Sequence, residues 1–143
     1  MTKTVCLDAS FVIRYLTSED TESIYQKYWS QWKAEGYSLI APKLIMYEVA
    51  NAFHRASIAE QITPDEAAAF LERALSLGLR YYGDAQLHQQ ALRMANNYNL
   101  PATYDAHYLA LAARFDVELQ TADKRLFNAV CNSLDWVNLI NIN

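Results

Sequence analysis

Four acidic residues stand at positions where chemistry can be expected: Asp8, Glu48, Asp105 and Asp123. Asp8 directly follows the apolar run TVCL, and Asp123 follows VELQT by two residues, so each falls at the end of a strand-like segment and opens a helix-like one. Glu48 borders a helical face defined by Ile45, Val49 and Ala52, where burial strongly disfavours an isolated charge. Asp105 lies in the first turn of a helix beside Ala106, Leu109, Ala110 and Ala113, where the helix dipole favours an anion. Singly, Asp8, Asp105 and Asp123 read as helix caps or helix-end stabilisation, while Glu48 needs a cation or solvent nearby. Jointly they read differently, because the two strand-end acids cluster while the two helix acids can look into the same edge. Carboxylates a few ångströms apart repel, which drives at least one pKa upward unless a cation intervenes. Oxygen ligands without accompanying His or Cys favour Mg²⁺ or Mn²⁺ with retained waters, and such a site can activate one of those waters.

The elements that must hold these acids alternate between strand and helix. Residues 3–7 read as a strand and ASFVIRYL as the helix after it. Ile24, Tyr28, Trp29 and Trp32 give residues 20–35 one apolar helical stripe, stopped by Gly36. A short strand over 38–41 precedes a helix over 43–60 with Ile45, Val49, Ala52, Phe53 and Ala56 on one face. Thr63-Pro64-Asp65-Glu66 is a capping-box start for a helix that Gly78 closes. A strand near Arg80–Tyr82 leads to Asp84, the expected N-cap of a helix carrying Leu87, Ala91, Leu92 and Ala95. Thr103 opens TYDAHYLALAARF, VELQT reads as a strand, DKRLFNAVCN as a helix, and 136–140 as a last strand. With no hairpin signal, this alternation predicts a mainly parallel sheet covered on both faces. Ligands of such sheets bind beyond the carboxyl ends of the strands, where Asp8 and the segment 121–123 fall.

At 143 residues and 52% hydrophobic content, the chain is expected to form one domain over 1–143. Three Gly and three Pro argue against long linkers and a many-turned β sandwich. No segment approaches a membrane span, and MTKTVCLDAS lacks a basic region followed by an apolar core, so a cytoplasmic protein is expected. Cys6 and Cys131 lack metal-ligand spacing and read as reduced, with Cys6 a packed core thiol. A net charge of −4 and a pI near 5.3 exclude the broad positive field of a constitutive duplex binder, so any nucleic-acid contact must be local or metal-assisted. Lys124 and Arg125 could supply such a contact to RNA phosphates, with a solvated helix end as the equal alternative; Arg14 and Arg55 are weaker candidates. His54, His88 and His107 show no mutual ligand spacing. Tyr25, Tyr28, Trp29 and Trp32 sit at helical spacing and read as packing or interface surface rather than as base-stacking groups.

On the segments VCLDAS, YEVANAF, TYDAHYLALA and QTADKRLF, in that order, the sequence resembles the PIN domain family, most closely its VapC-like toxin branch, over nearly the whole chain. The resemblance implies a PIN-like three-layer α/β/α sandwich and places Asp8, Glu48, Asp105 and Asp123 on the family's metal-binding and catalytic quartet. It adds Ser10 and Thr121 as supporting polar residues. Gln120 departs from the pattern, since relatives commonly end that strand with an apolar residue. The implied activity is Mg²⁺- or Mn²⁺-dependent endoribonuclease cleavage of RNA that leaves a 5′-phosphate. The implied setting is the toxin of a type II toxin-antitoxin pair, a homodimer held by a cognate antitoxin. The competing readings are a non-catalytic PIN-like protein-binding module and a housekeeping RNA-processing nuclease. A receiver domain would need an acid pair at the first strand, and an Asp-x-Asp phosphatase fails because Ser10 occupies the second position.

Overall fold

A computed structural model describes residues 3–141; the two residues at each end of the expected domain lie outside the described residues. Five strands are present: β1 (Thr4–Leu7), β2 (Ser38–Pro42), β3 (Arg80–Tyr82), β4 (Leu119–Thr121) and β5 (Val137–Leu139). Seven helices connect and cover them: α1 (Ala9–Thr17), α2 (Ile24–Ala34), α3 (Leu44–Ile58), α4 (Pro64–Leu75), α5 (Ala85–Asn97), α6 (Tyr104–Phe115) and α7 (Lys124–Val130). The sheet order is β3-β2-β1-β4-β5, and every pairing is parallel. The chain therefore builds outward from β1 to β2 and β3, then returns to add β4 and β5 on the other side. That reversal puts a crevice beyond the carboxyl ends of β1 and β4, where open parallel sheets bind ligands.

β1 is central because it has no polar face to offer solvent. Val5, Cys6 and Leu7 are all buried, as a strand covered on both faces requires. α6 packs on β1, β2 and β4 as well as on α5, and is buried at every position from Ala106 to Ala112. One apolar face ending at Ala113 was expected of α6; instead its middle is enclosed all round and Ala113 is exposed. α1 is fixed by an aromatic cluster in which Phe11, fully buried, meets the rings of Tyr15, Tyr25 and Trp32 at centroid distances of 6.4, 5.8 and 5.2 Å. Tyr25 and Trp32 thereby take the packing alternative, and Trp29 stacks on Tyr15 at 4.6 Å.

Local signals decide most boundaries. The capping box at Thr63 closes as expected, with Glu66 N donating to Thr63 Oγ1 at 3.1 Å and Thr63 N to Glu66 Oε1 at 2.9 Å. Gly36 ends the segment after α2 at φ +72°, a conformation that costs a residue without Cβ little. α2 begins later than the expected residue 20, because Asp20 spends its carboxylate on the Glu22 N–H at 2.9 Å, forming a turn, and Ser23 caps the helix instead. Leu92, expected on the inner face of α5, is 64% exposed; the buried stripe is the narrower Leu87, Ala91 and Ala95.

Phe11→Ala removes the ring on which α1 and α2 close, and is expected to lower the unfolding free energy by about 3–5 kcal/mol. Urea denaturation of both proteins measures this, and a loss below about 1 kcal/mol would show that the cluster does not hold the two helices.

Candidate active site

Asp8 follows the last residue of β1, so its side chain leaves the sheet where the first turn of α1 begins. It caps that helix, accepting from Phe11 N at 3.0 Å on Oδ1. Ser10 Oγ donates to the same oxygen at 2.6 Å, and the Thr121 hydroxyl donates to Oδ2 through a short hydrogen bond. Both hydroxyls are oriented in turn by backbone: Ala122 N donates to Ser10 Oγ at 2.9 Å and Asp123 N to Thr121 Oγ1 at 3.0 Å. The end of β4 thus fixes the carboxylate at the end of β1 through two hydroxyl groups. Asp8 is only 4% exposed, and burial pushes its carboxyl up to about 6 despite those hydrogen bonds, with the Asp123 charge adding to the rise.

The other three acids come from three different elements. Asp123 caps α7, with Oδ1 accepting from Arg125 N at 2.9 Å and Leu126 N at 3.3 Å. Glu48, half-buried on α3, accepts a 2.5 Å hydrogen bond from Tyr108 Oη; burial raises its pKa, the Tyr108 hydrogen bond opposes this, and Asp105 adds to it. Tyr108 stands one turn along α6 from Asp105 and is itself buried, with its phenol pushed well above the ordinary value by that burial and by Glu48. Asp105 is raised first by burial, lowered by Arg125 and raised again by Asp123. One guanidinium nitrogen of Arg125 lies 3.3 Å from both Asp105 Oδ2 and Asp123 Oδ2.

All four acids line one cavity of about 310 Å³, together with Ser10, Tyr108 and Arg125. Among the described residues, no three His, Cys, Asp or Glu side chains converge closely enough to clasp an ion as they stand. The donor set nevertheless suits a hard divalent cation: it is all oxygen, its charges raise one another's pKa, and Arg125 bridges two of its members. Lys124 is exposed at the start of α7, while Arg14 and Lys124 border an adjoining cavity that shares Ser10, Asp123 and Arg125 with the first. Gln120 is buried yet satisfied, donating to Glu118 at 3.1 Å and accepting from Asn138 at 2.7 Å, so a polar residue at the end of this strand leaves no orphaned group.

The family model described as the PIN domain matches residues 5–132. The chain is a member of the PIN domain family. This PIN domain is 36% identical over 87 residues to Ribonuclease VapC1 of Mycobacterium tuberculosis, in two strains, across 60% of this chain and 63% of the relative. The match therefore spans somewhat under two thirds of the curated relatives' length. In fold, the PIN domain is similar to PAE2754 of Pyrobaculum aerophilum, with a TM-score of 0.69, 23% identity, and 99% and 92% of the two chains covered. It is likewise similar to a chain of Rickettsia felis VapBC2 bound to a promoter DNA fragment, with a TM-score of 0.71, 12% identity, and 98% and 99% covered. A third likeness is to the sarcin-ricin loop cleaving toxin VapC20 of M. tuberculosis, at a TM-score of 0.58, 14% identity, and 88% and 95% covered.

Sequence reasoning passed over Tyr108, although its place three residues after Asp105 in YDAHY was a usable signal. It also separated His88 from His107, whose rings meet at 2.8 Å between α5 and α6. Nothing in their spacing of nineteen residues indicates that contact.

Because the Asp8 carboxyl lies above its unfolded value of 3.8, at about 6, its ionisation opposes folding. The penalty is absent below pH 4, grows from there to pH 6 and is complete above it. Asp8→Asn is therefore expected to stabilise the protein in EDTA at pH 8 by up to about 2–3 kcal/mol, with the gain vanishing near pH 4. Denaturant titrations of both proteins at pH 4, 6 and 8 check this; a gain independent of pH would contradict it.

Proposed function

We propose that this chain, as a single PIN domain, is a divalent-metal-dependent endoribonuclease that hydrolyses RNA phosphodiester bonds, the toxin of a type II toxin-antitoxin pair. The observation that carries this reading is the cavity at the carboxyl ends of β1 and β4 lined by Asp8, Glu48, Asp105 and Asp123. The likeness to Ribonuclease VapC1 supports the class of reaction. The VapBC2 structure supports, by fold, the proposal of an antitoxin partner. We assign a homodimer and a cytoplasmic setting to the same reading; among the described residues no helix is long and apolar enough to cross a membrane.

Asp8, Asp105 and Asp123 would hold Mg²⁺ or Mn²⁺, with Glu48 completing the site directly or through water. When bound, the metal supplies a nucleophilic water at neutral pH and offsets charge on the departing oxygen. Ser10 and Thr121 keep the Asp8 carboxylate facing the cavity, since both hydroxyl protons are committed to it. Tyr108 fixes Glu48 and shields it from the apolar core. Arg125 is exposed enough, at 66%, to exchange its carboxylate partners for an RNA phosphate when Asp105 and Asp123 turn to the metal. Lys124 adds a second local cation, the kind of attraction that an acidic molecule must supply at the site itself.

Asp105→Asn is expected to reduce Mn²⁺-dependent cleavage of single-stranded RNA at least about 100-fold, a transition-state loss of roughly 3 kcal/mol, while far-UV circular dichroism stays unchanged. Mn²⁺ is also expected to raise the melting temperature of the unsubstituted protein and not of Asp105→Asn. Undiminished cleavage in the variant would remove Asp105 from the site. Growth arrest on expression of the chain, relieved by Asp8→Asn, separates a toxin from a housekeeping nuclease, whose overproduction is harmless.

A further inference from the structure

A second cavity of about 390 Å³ adjoins the acidic one, across the amino-terminal turns of α3 and α6. Its volume lies within the roughly 300–1,000 Å³ of small-ligand sites. Tyr47, Tyr82 and Tyr104 form aromatic walls, and Lys43 borders them. Tyr47 and Tyr104 are 77% and 60% exposed, a large apolar surface to leave in water on rigid helices. Each immediately precedes an acid of the neighbouring cavity, Glu48 and Asp105 respectively. Successive helical residues point about 100° apart, so each ring-carboxylate pair faces two adjoining cavities at once.

The polar lining of this cleft includes a pair of histidines in contact, His88 and His107. His107 Nδ1 lies 2.6 Å from the Thr103 carbonyl oxygen, which can only accept, so that nitrogen carries hydrogen. His107 Nε2 and His88 Nδ1 lie 2.8 Å apart and share one hydrogen between them. The other ring nitrogen, His88 Nε2, belongs to an exposed residue in the cleft lining and is left for a hydrogen bond with a ligand.

We propose that this cleft is a nucleobase subsite: one base of single-stranded RNA stacks on Tyr47 or Tyr104 and hydrogen-bonds through its polar edge with His88 Nε2. The inference rests on the ribonuclease reading and adds to it the place where the strand is gripped. One nucleotide joins its base to its phosphate through a single sugar, and the two cavities share the helices that bear Glu48 and Asp105. A base in the aromatic cleft therefore brings its own phosphate toward the acids. Every base has a face to stack and a polar edge to hydrogen-bond, so the site selects unpaired nucleotides rather than one base. A second protein chain would also cover tyrosine faces, but it has no need of tyrosines that each stand next in sequence to an acid of the neighbouring cavity.

The test measures binding of a fluorescein-labelled single-stranded RNA decamer of mixed sequence, and of the same strand lacking all its bases, by the full chain carrying Asp8→Asn so that the probe stays intact. Adding Tyr47→Ala and Tyr104→Ala is expected to weaken binding of the decamer about 10-fold or more and of the base-free strand less than about 2-fold, with Tyr47→Phe and Tyr104→Phe retaining affinity. Equal losses for both strands, or no loss, overturns the subsite. A fall in molar mass from dimer to monomer in the alanine variant, measured by light scattering, also overturns it and makes the face an interface between copies. RNA cleavage by the unsubstituted chain in Mn²⁺ is assayed alongside. Its absence defeats the ribonuclease reading and the subsite together, whereas cleavage with unaltered decamer binding defeats the subsite alone.

Discussion

A carboxylate held almost out of water at the end of the central strand is the constraint around which this molecule is arranged. Asp8 directly follows β1, the middle strand of the sheet, whose last three residues are buried. An acid at its end is almost wholly buried, so most of its hydrogen bonds must come from the protein. α1 answers with the Phe11 N–H and the Ser10 hydroxyl, and β4 answers with the Thr121 hydroxyl, both hydroxyls being oriented by the backbone that continues from β4. These bonds tie the first and fourth strands together at their carboxyl ends. They do not remove the electrostatic cost, since the Asp8 carboxyl still rises to about 6. The same network that fixes the fold at this edge leaves a charge that a cation would relieve.

Burial raises the Glu48 and Asp105 carboxyls as well. Glu48 leans on a buried phenol, Asp123 on the first turn of α7, and Asp105 on Arg125, so each has a structural partner without being fully neutralised. Asp8 and Asp123 thus each cap a helix and at the same time line the acidic cavity. A helix N-terminus at a strand's carboxyl end is a place where an anion is stable, and parallel α/β sheets put several such places side by side. Clustering acids there costs less than it would elsewhere on the surface. Chemistry and fold meet at this edge for that reason.

Polarity across the edge is sorted by element. The amino-terminal turns of α3 and α6 carry acids on one side and exposed tyrosines on the other, while the start of α7 carries Lys124 and Arg125. A molecule with a net charge of −4 thereby presents acidic, basic and aromatic surfaces within adjoining cavities. Local patterning of this kind allows an acidic protein to meet a polyanion without a positive field over its whole surface.

The alternation of strand and helix, the capping box at Thr63, the N-caps at Asp8, Asp84 and Asp123, and the four acids were legible in the sequence because each is written within a few residues: an apolar run, a cap, a helical period. The start of α2 was misplaced because Asp20 and Ser23 are both competent caps, and a turn at Asp20 decides between them. The burial of α6 all round was hidden because periodicity shows which face of a helix can be buried, not how many neighbours will enclose it. The partners of the acids were decided by tertiary structure alone. Tyr108 meets Glu48 across 60 residues and His88 meets His107 across 19 because helices pack together, and Thr121 meets Asp8 across 113 because β1 and β4 run parallel side by side. Sequence specified the residues that carry charge; packing determined which of them remain unsatisfied, since burial and hydrogen-bond partners are properties of neighbours in space rather than along the chain.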